Sequence, residues 1–267
     1  MIRPRTLIVA NWKMNFTTHE ASLYLHKLAD HITTHKDVEV VLAPSVISLQ
    51  ALSLQIDRKQ FKLAVQNFYW QDSGAYTGEV SASQLHGIVD YAIIGHSERR
   101  HLFHESNKDV RSKVQSAIRN NIKPIICVGD TAGDRTSGET RDIIHDQLVS
   151  ALANATSDDI SKLTIAYEPI WAISNGSDFV HHKIPTVEDV FAIQKIIRDQ
   201  VRHLYGEEAS SKIAVIYGGS VNSTNASTYL GIDGINGLLI GGDSLNASDF
   251  INIINQVNEI NYKGGKK

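Results

Sequence analysis

Five short stretches of this sequence carry groups that could do chemistry together. In Ala166-Tyr167-Glu168-Pro169-Ile170-Trp171-Ala172-Ile173 an apolar run, Leu163 to Ala166, delivers a single carboxylate, followed at once by proline, an aromatic and small residues. A carboxylate at the last position of a buried strand, before a segment able to move, is where a general base belongs. Asn11 and Lys13 end another apolar run, and a spacing of two on a strand predicts that both project to one side, with the lysine charge at the mouth. His96 follows Ile93-Ile94-Gly95 and precedes Ser97-Glu98-Arg99-Arg100, the pattern of a capped helical turn. A histidine there feels the positive end of the helix dipole, which favours neutral imidazole, able to donate a hydrogen bond to a carbonyl. Gly218-Gly219-Ser220 and Gly241-Gly242 end the last two apolar runs, where glycine allows backbone N–H groups to approach a phosphate.

Positioning these groups at one place requires a repeating scaffold. Short β-rich runs at 6–12, 38–43, 61–66, 91–95, 123–128, 163–168, 212–217 and 237–240 alternate with amphipathic stretches at about 19–32, 45–55, 81–88, 107–120, 139–154, 186–205, 222–230 and 247–260. The sixth amphipathic stretch is the clearest, with Val187, Val190, Phe191, Ile193, Ile197, Val201 and Leu204 on one stripe and Thr186 as its cap. Strict alternation implies a parallel sheet with right-handed crossovers. Eight units of about 30 residues predict a closed (β/α)8 barrel, a single domain over 1–267, with its active site at the C-terminal ends of the strands. No Gly-x-Gly-x-x-Gly follows the first strand, so the usual dinucleotide fingerprint is missing.

Bulk properties narrow the class. A formal net charge of −3 argues against a nucleic-acid binder, so an anionic substrate must be attracted by local donors. No stretch nears the roughly 18 apolar residues of a membrane span. The start, Met1 to Thr6, carries no signal-peptide pattern. The single cysteine, Cys127, excludes an intrachain disulfide and fits a reducing, cytoplasmic setting, where six Asn-x-Ser/Thr matches, including Asn15 and Asn175, are chance. Cys127 reads as a buried packing residue, and the tail from Asn261 to Lys267 as a frayed, solvated end. The other histidines, such as His19, His31, His145, His181 and His182, read as surface residues; the pair His181-His182 lacks a third ligand at metal-binding spacing, so no metal is expected.

The chain resembles the triosephosphate isomerases. The segments that carry the resemblance, in order from Ala10 to Ala247, are Ala10-Asn11-Trp12-Lys13-Met14-Asn15, Gly74-Ala75-Tyr76-Thr77-Gly78-Glu79, Ile94-Gly95-His96-Ser97-Glu98-Arg99-Arg100, Tyr167 to Ile173, Tyr217-Gly218-Gly219-Ser220-Val221 and Ile240-Gly241-Gly242. The resemblance implies Glu168 as the base, neutral His96 as the group that polarises the carbonyl and shuttles protons, Lys13 as electrostatic stabiliser and Asn11 as an orienting group. It also implies that N–H groups of Gly176, Ser220 and Gly242, with Gly241 alongside, take the phosphate, and that Glu98, Ser97, Cys127 and Tyr217 support the site. Pro169, Ile170, Trp171, Ala172, Ile173, Ser174 and Asn175 would belong to a lid that excludes water. Tyr76, Thr77, Gly78 and Glu79 would form a loop reaching into a second subunit of a homodimer. No cofactor is implied, and no nucleic-acid or membrane partner.

Three departures stand out from that pattern. Ser177 to Pro185 makes the lid's second hinge about four residues longer, Ser174-Asn175 replaces the more usual Gly-Thr, and Asp243 stands where a small apolar residue is usual. Asp243 either caps a short helix, pointing away from the ligand, or opposes a bound dianion. Two other readings compete with an isomerase. Another sugar-phosphate barrel enzyme, such as an aldolase, would want a lysine inside an apolar strand, which Lys13 beside Asn11 does not match. A non-catalytic phosphate-binding barrel protein would have no need of Glu168.

Overall fold

Runs such as Leu7-Ile8-Val9-Ala10 and Ile125-Ile126-Cys127-Val128 are apolar on both faces, so a sheet built from them must be covered on both sides. The computed structural model describes residues 5–33, 36–172 and 184–264, with the backbone alone at 262–264. Its strands are β1 (Thr6–Asn11), β2 (Val38–Ala43), β3 (Phe61–Val65), β4 (Tyr91–Ile94), β5 (Lys123–Val128), β6 (Thr164–Tyr167), β7 (Ala214–Tyr217) and β8 (Gly237–Ile240). All pair in parallel, each with the next, and β8 closes on β1 through Leu7 against Gly237 and Ala10 against Ile240. The result is a closed (β/α)8 barrel with no open sheet edge.

Strand alternation divides the apolar side chains into two cores. Leu7, Val9, Val41, Ala64, Ile93, Ile125, Cys127, Ala166, Ile216 and Leu239 fill the barrel interior. Their neighbours Ile8, Ala10, Val40, Leu42 and Ile126 belong to the outer layer, packed with helix residues such as Leu28, Val114, Ile197 and Phe250. Three of the predicted strands, 38–43, 123–128 and 237–240, match the observed limits, and the others end one or two residues early or start late. Strand β6 stops at Tyr167, which puts Glu168 one residue beyond it, although the Glu168 N–H still bonds to the Val128 carbonyl at 2.8 Å.

The helices differ from expectation where polar side chains compete for the backbone. The predicted 222–230 helix shrinks to Ala226–Leu230 because Asn222 accepts from the N–H groups of Thr224 and Asn225, holding a turn instead. The predicted 81–88 helix is only Ala82–Leu85, and Gly87, at φ +77°, lies just beyond its end. Short helices at Ala132–Thr136, Ser157–Ile160 and Glu207–Lys212 were not expected. The first two carry a signal that would have found them, Thr131 with Asp134 and Thr156 with Asp159 as reciprocal caps. The third replaces the predicted start of β7. The final helix, Ala247–Gly264, runs past the expected frayed end at Asn261, whose amide bonds Val257 O and Thr6 Oγ1. No helix among the described residues is long and apolar enough to cross a membrane.

Thr186 caps the helix Val187–Tyr205 as expected: its Oγ1 accepts from the Asp189 N–H at 3.1 Å, and Asp189 accepts from the Thr186 N–H at 3.0 Å. Thr186→Ala should cost about 1 kcal/mol. Thermal unfolding should then show a midpoint lower by about 2–4 °C.

Candidate active site

Glu168, His96, Lys13 and Asn11 come from the ends of β6, β4 and β1 and line one cleft of about 190 Å³ at the C-terminal mouth of the barrel. The rest of its wall is Asn15, Gly218, Gly219, Ser220, Val221, Leu239, Gly241, Gly242, Asp243 and Leu245. A cleft of this size admits a small metabolite.

Glu168 is 2% exposed. Its Oε2 accepts a hydrogen bond from the Ser97 N–H at 2.9 Å, the first residue of the helix Ser97–Leu102, so the helix N-terminus supports the negative charge. Its Oε1 lies 3.1 Å from His96 Nε2, within hydrogen-bond distance, but the ring N–H is not aimed along that line, and Oε1 is left without a donor among the described residues. A buried carboxylate oxygen without a donor is costly to structure and useful to a base.

His96 is the N-cap of that same helix. Its Nδ1 accepts from the Glu98 N–H at 3.2 Å, which requires a lone pair there and puts the ring proton on Nε2, facing the cleft. The sequence expectation of a neutral, donating imidazole agrees with this geometry.

Lys13 reaches the cleft by a route that strand alternation does not describe. Strand β1 ends at Asn11, and Lys13 takes φ +51°, a left-handed conformation costing about 1–2 kcal/mol for a residue with a side chain. Two contacts hold it there. The Asn11 Oδ1 accepts from the Lys13 N–H at 3.1 Å, and the Gln66 amide donates to the Lys13 carbonyl at 2.9 Å and to the Ala43 carbonyl at 2.8 Å. The Lys13 Nζ pairs with Glu98 Oε1 at 2.5 Å, and the other Glu98 oxygen is 3.8 Å from His96 Nδ1, so Glu98 stands behind both groups. Gln66 escaped the sequence reading because a glutamine just past an apolar run has no distinctive spacing.

At the opposite wall, the N–H groups of Ser220 and Gly242 have no acceptor among the described residues. Asn225 shapes this rim by donating to the Ser220 carbonyl at 3.0 Å. Gly242 opens a 3-10 turn, Gly242–Leu245, and Gly241 precedes it. Gly219 is needed for space: a Cβ there would lie 2.0 Å from the Tyr217 hydroxyl, which is buried without a partner among the described residues. Cys127 lines the barrel interior beneath Glu168, and burial and then the charge of Glu168 push its thiol well above the usual range, so it is a packing residue and not a nucleophile.

Of the expected lid, Ile170–Ala172 forms a 3-10 turn after Pro169, with the Arg135 guanidinium 4.6 Å above the Trp171 ring. Ile173, Ser174, Asn175 and Gly176, the lengthened hinge 177–183 and His181-His182 lie outside the described residues. Among the described residues no group of three or more metal-ligating side chains converges. Of the named histidines, His19 and His31 are exposed, while His145 is half-buried and bonds Gln200.

A buried carboxylate, an imidazole with its proton toward the cleft, a lysine and two open backbone donors at a barrel mouth define a (β/α)8 enzyme acting on a small phosphorylated substrate by proton transfer. The comparison with known proteins narrows this class. The profile of the family described as Triosephosphate isomerase matches residues 6–257. The chain is 39% identical over 256 residues to the triosephosphate isomerase of Lactiplantibacillus plantarum, covering 95% of this chain and 99% of that protein. It is 39% identical over 252 residues to that of Caldanaerobacter subterraneus subsp. tengcongensis and 40% identical over 252 residues to that of Thermoanaerobacter sp., each covering 94% of this chain and 99% of the relative. The chain belongs to the triosephosphate isomerase family.

Gly129 sits where β5 and β6 leave the barrel, and a Cβ there would lie 1.9 Å from the Glu168 carbonyl oxygen. Gly129→Ala must therefore push the Glu168 backbone outward. We expect a stability loss of about 1–3 kcal/mol and a fall in kcat of more than about tenfold, since misplacing a reacting group by about 1 Å is enough for that. Thermal unfolding with steady-state kinetics checks both.

Proposed function

We propose that Glu168, His96, Lys13 and Asn11 are the catalytic groups by which this chain interconverts dihydroxyacetone phosphate and D-glyceraldehyde 3-phosphate. The observation that carries the assignment is the buried Glu168 Oε1, without a donor among the described residues and 3.1 Å from a proton-bearing His96 Nε2. Glu168 removes a proton from the carbon next to the carbonyl, the C–H electron pair forms the C=C bond of an enediolate, and the carbonyl oxygen takes the negative charge. His96 Nε2–H and the Lys13 ammonium stabilise that oxygen, and His96 passes a proton between the two oxygens. Glu168 returns its proton to the neighbouring carbon. Substrate and product are isomers, so the reaction consumes no oxidant or reductant, and none of these steps calls on a cofactor.

The phosphate sits on the N–H groups of Ser220 and Gly242, beside Gly241, with Gly176 as a further donor from the lid. The lid closes over the reacting atoms, which keeps water from the enediolate. Ser97, Tyr217 and Cys127 support the site by holding Glu168, shaping the glycine turn and packing beneath the base. The protein is a single domain over 1–267 and acts in the cytoplasm, as its cysteine usage suggests.

The working form is a homodimer. Loop residues Tyr76, Thr77, Gly78 and Glu79 are exposed, with Gly74 and Gly78 in conformations that let the loop project. A groove lined by Lys13, Met14, Val46, Gln66, Phe68 and Val80 lies beside the cleft. Met14 is 95% exposed and Ile47 75%, an apolar surface that a second copy would bury. Lys13 lines both cavities, so the partner's loop would brace the catalytic lysine from behind.

Glu168→Asp withdraws the carboxylate by about 1 Å and should lower kcat on the order of 10²-fold with little change in KM. An assay coupling glyceraldehyde 3-phosphate formation to an auxiliary dehydrogenase reads it, and near-normal kcat would mean that another group takes the proton. Thr77→Arg should place an unpaired charge in the dimer contact. Light scattering should then report a monomer with activity sharply reduced, whereas a fully active wild-type monomer would exclude the dimer requirement.

A further inference from the structure

Asp243 lies in the 3-10 turn Gly242–Leu245 and lines the same cleft as Lys13, His96, Glu168 and Ser220. It does not cap that turn: the residue in front is Gly241, and no side chain bonds the turn's first N–H groups. Among the described residues the Asp243 carboxylate makes no hydrogen bond and no ion pair, so no contact there explains why an acid stands at this position.

The groups facing it add no compensation. From the helix Ala247–Gly264 comes Asp249, a like charge. From the helix Thr18–His31 comes Tyr24, whose hydroxyl donates to the Ser244 carbonyl and whose ionisation burial pushes far up. From beyond β1 comes Lys13, already matched by Glu98 at 2.5 Å. Across the cleft stand His96, neutral by its hydrogen bonding, and the Glu168 carboxylate. With Lys13 and Glu98 cancelling, a dianion entering this cleft would meet the Asp243 carboxylate with no partner of its own among the described residues. Burial, and then Asp249, hold the Asp243 carboxyl above the ordinary aspartate range.

We propose that Asp243 is a specificity-determining residue of the phosphate cradle that couples dianion binding to proton uptake: ionised it repels the dianion, and protonated it sits beside it as a neutral group. The proton comes from solvent onto a carboxylate oxygen and returns to solvent when the ligand leaves. The inference rests on the assignment of the cradle to Ser220, Gly241 and Gly242.

Sulfate is the suitable probe, being a dianion that does not itself titrate between pH 5 and 8. Its dissociation constant, from calorimetry and from competition with glyceraldehyde 3-phosphate, would be measured for the wild-type protein, Asp243→Asn and Asp243→Ala, each checked for folding by circular dichroism. The affinity of wild type relative to either variant should fall about tenfold from pH 5 to pH 8. Calorimetry near pH 6 in two buffers of different ionisation enthalpy should show protons taken up by wild type and fewer by both variants. Sulfate that competes with substrate but shows the same affinity profile and proton uptake in all three proteins overturns the role of Asp243 alone. Sulfate that does not compete in wild type removes the cradle, and this proposal with it.

Discussion

The hydrogen bond from the Ser97 N–H to Glu168 Oε2, 2.9 Å across the mouth of the barrel, joins the end of β6 to the helix that follows β4. It stabilises a carboxylate that burial would otherwise disfavour, and it occupies only one of the two oxygens. Much of the neighbouring architecture serves this contact. Gly129 gives the Glu168 carbonyl room, the Glu168 N–H anchors to Val128, and Cys127 fills the space below with a thiol kept protonated by its surroundings. The same short helix that donates to Glu168 also orients His96, because the imidazole is its cap. One helix N-terminus thus sets the position of two side chains from different strands.

Closing the barrel makes such precision affordable. Every strand has two neighbours, so the ends of β1, β4, β6, β7 and β8 cannot splay independently. Against that rigid rim the chain tolerates local strain at Lys13, whose left-handed backbone is over-determined by Asn11 and Gln66. The strain has a use: it turns the lysine chain across the mouth instead of up into solvent, where its ammonium meets Glu98. Asparagine, lysine, glutamine and glutamate here form one connected device from three different segments.

Charge in the cleft is balanced closely. Among the described residues Lys13 is the positive side chain lining it, and Glu98 already pairs with it, which leaves the open backbone donors of Ser220 and Gly242 as the unmatched positive dipoles at the rim. A protein of net charge −3 gives no general attraction to phosphate, so under the proposed assignment oriented N–H dipoles do the work that a cationic patch would do elsewhere. The Asp243 carboxylate lines the same cleft.

Much of this was legible from residue order. Eight apolar runs alternating with amphipathic ones determine the barrel, because a doubly buried parallel strand and a helix-covered face leave few other arrangements. The same order locates Glu168, His96, Lys13 and the glycine turns at strand ends, hence at one mouth. Caps such as Thr186 with Asp189 are local and were equally readable, as were the overlooked pairs Thr131 with Asp134 and Thr156 with Asp159. What only the tertiary structure decided is which atoms face which. That Lys13 turns by a positive φ and not by alternation, that Gln66 from β3's end holds it, that Glu98 serves lysine and histidine at once, and that Asp243 lines the cleft without capping anything all depend on contacts between residues tens of positions apart. Sequence pattern encodes the period and burial of each element, but the register between elements and the final direction of a side chain come from packing, which a linear pattern does not contain.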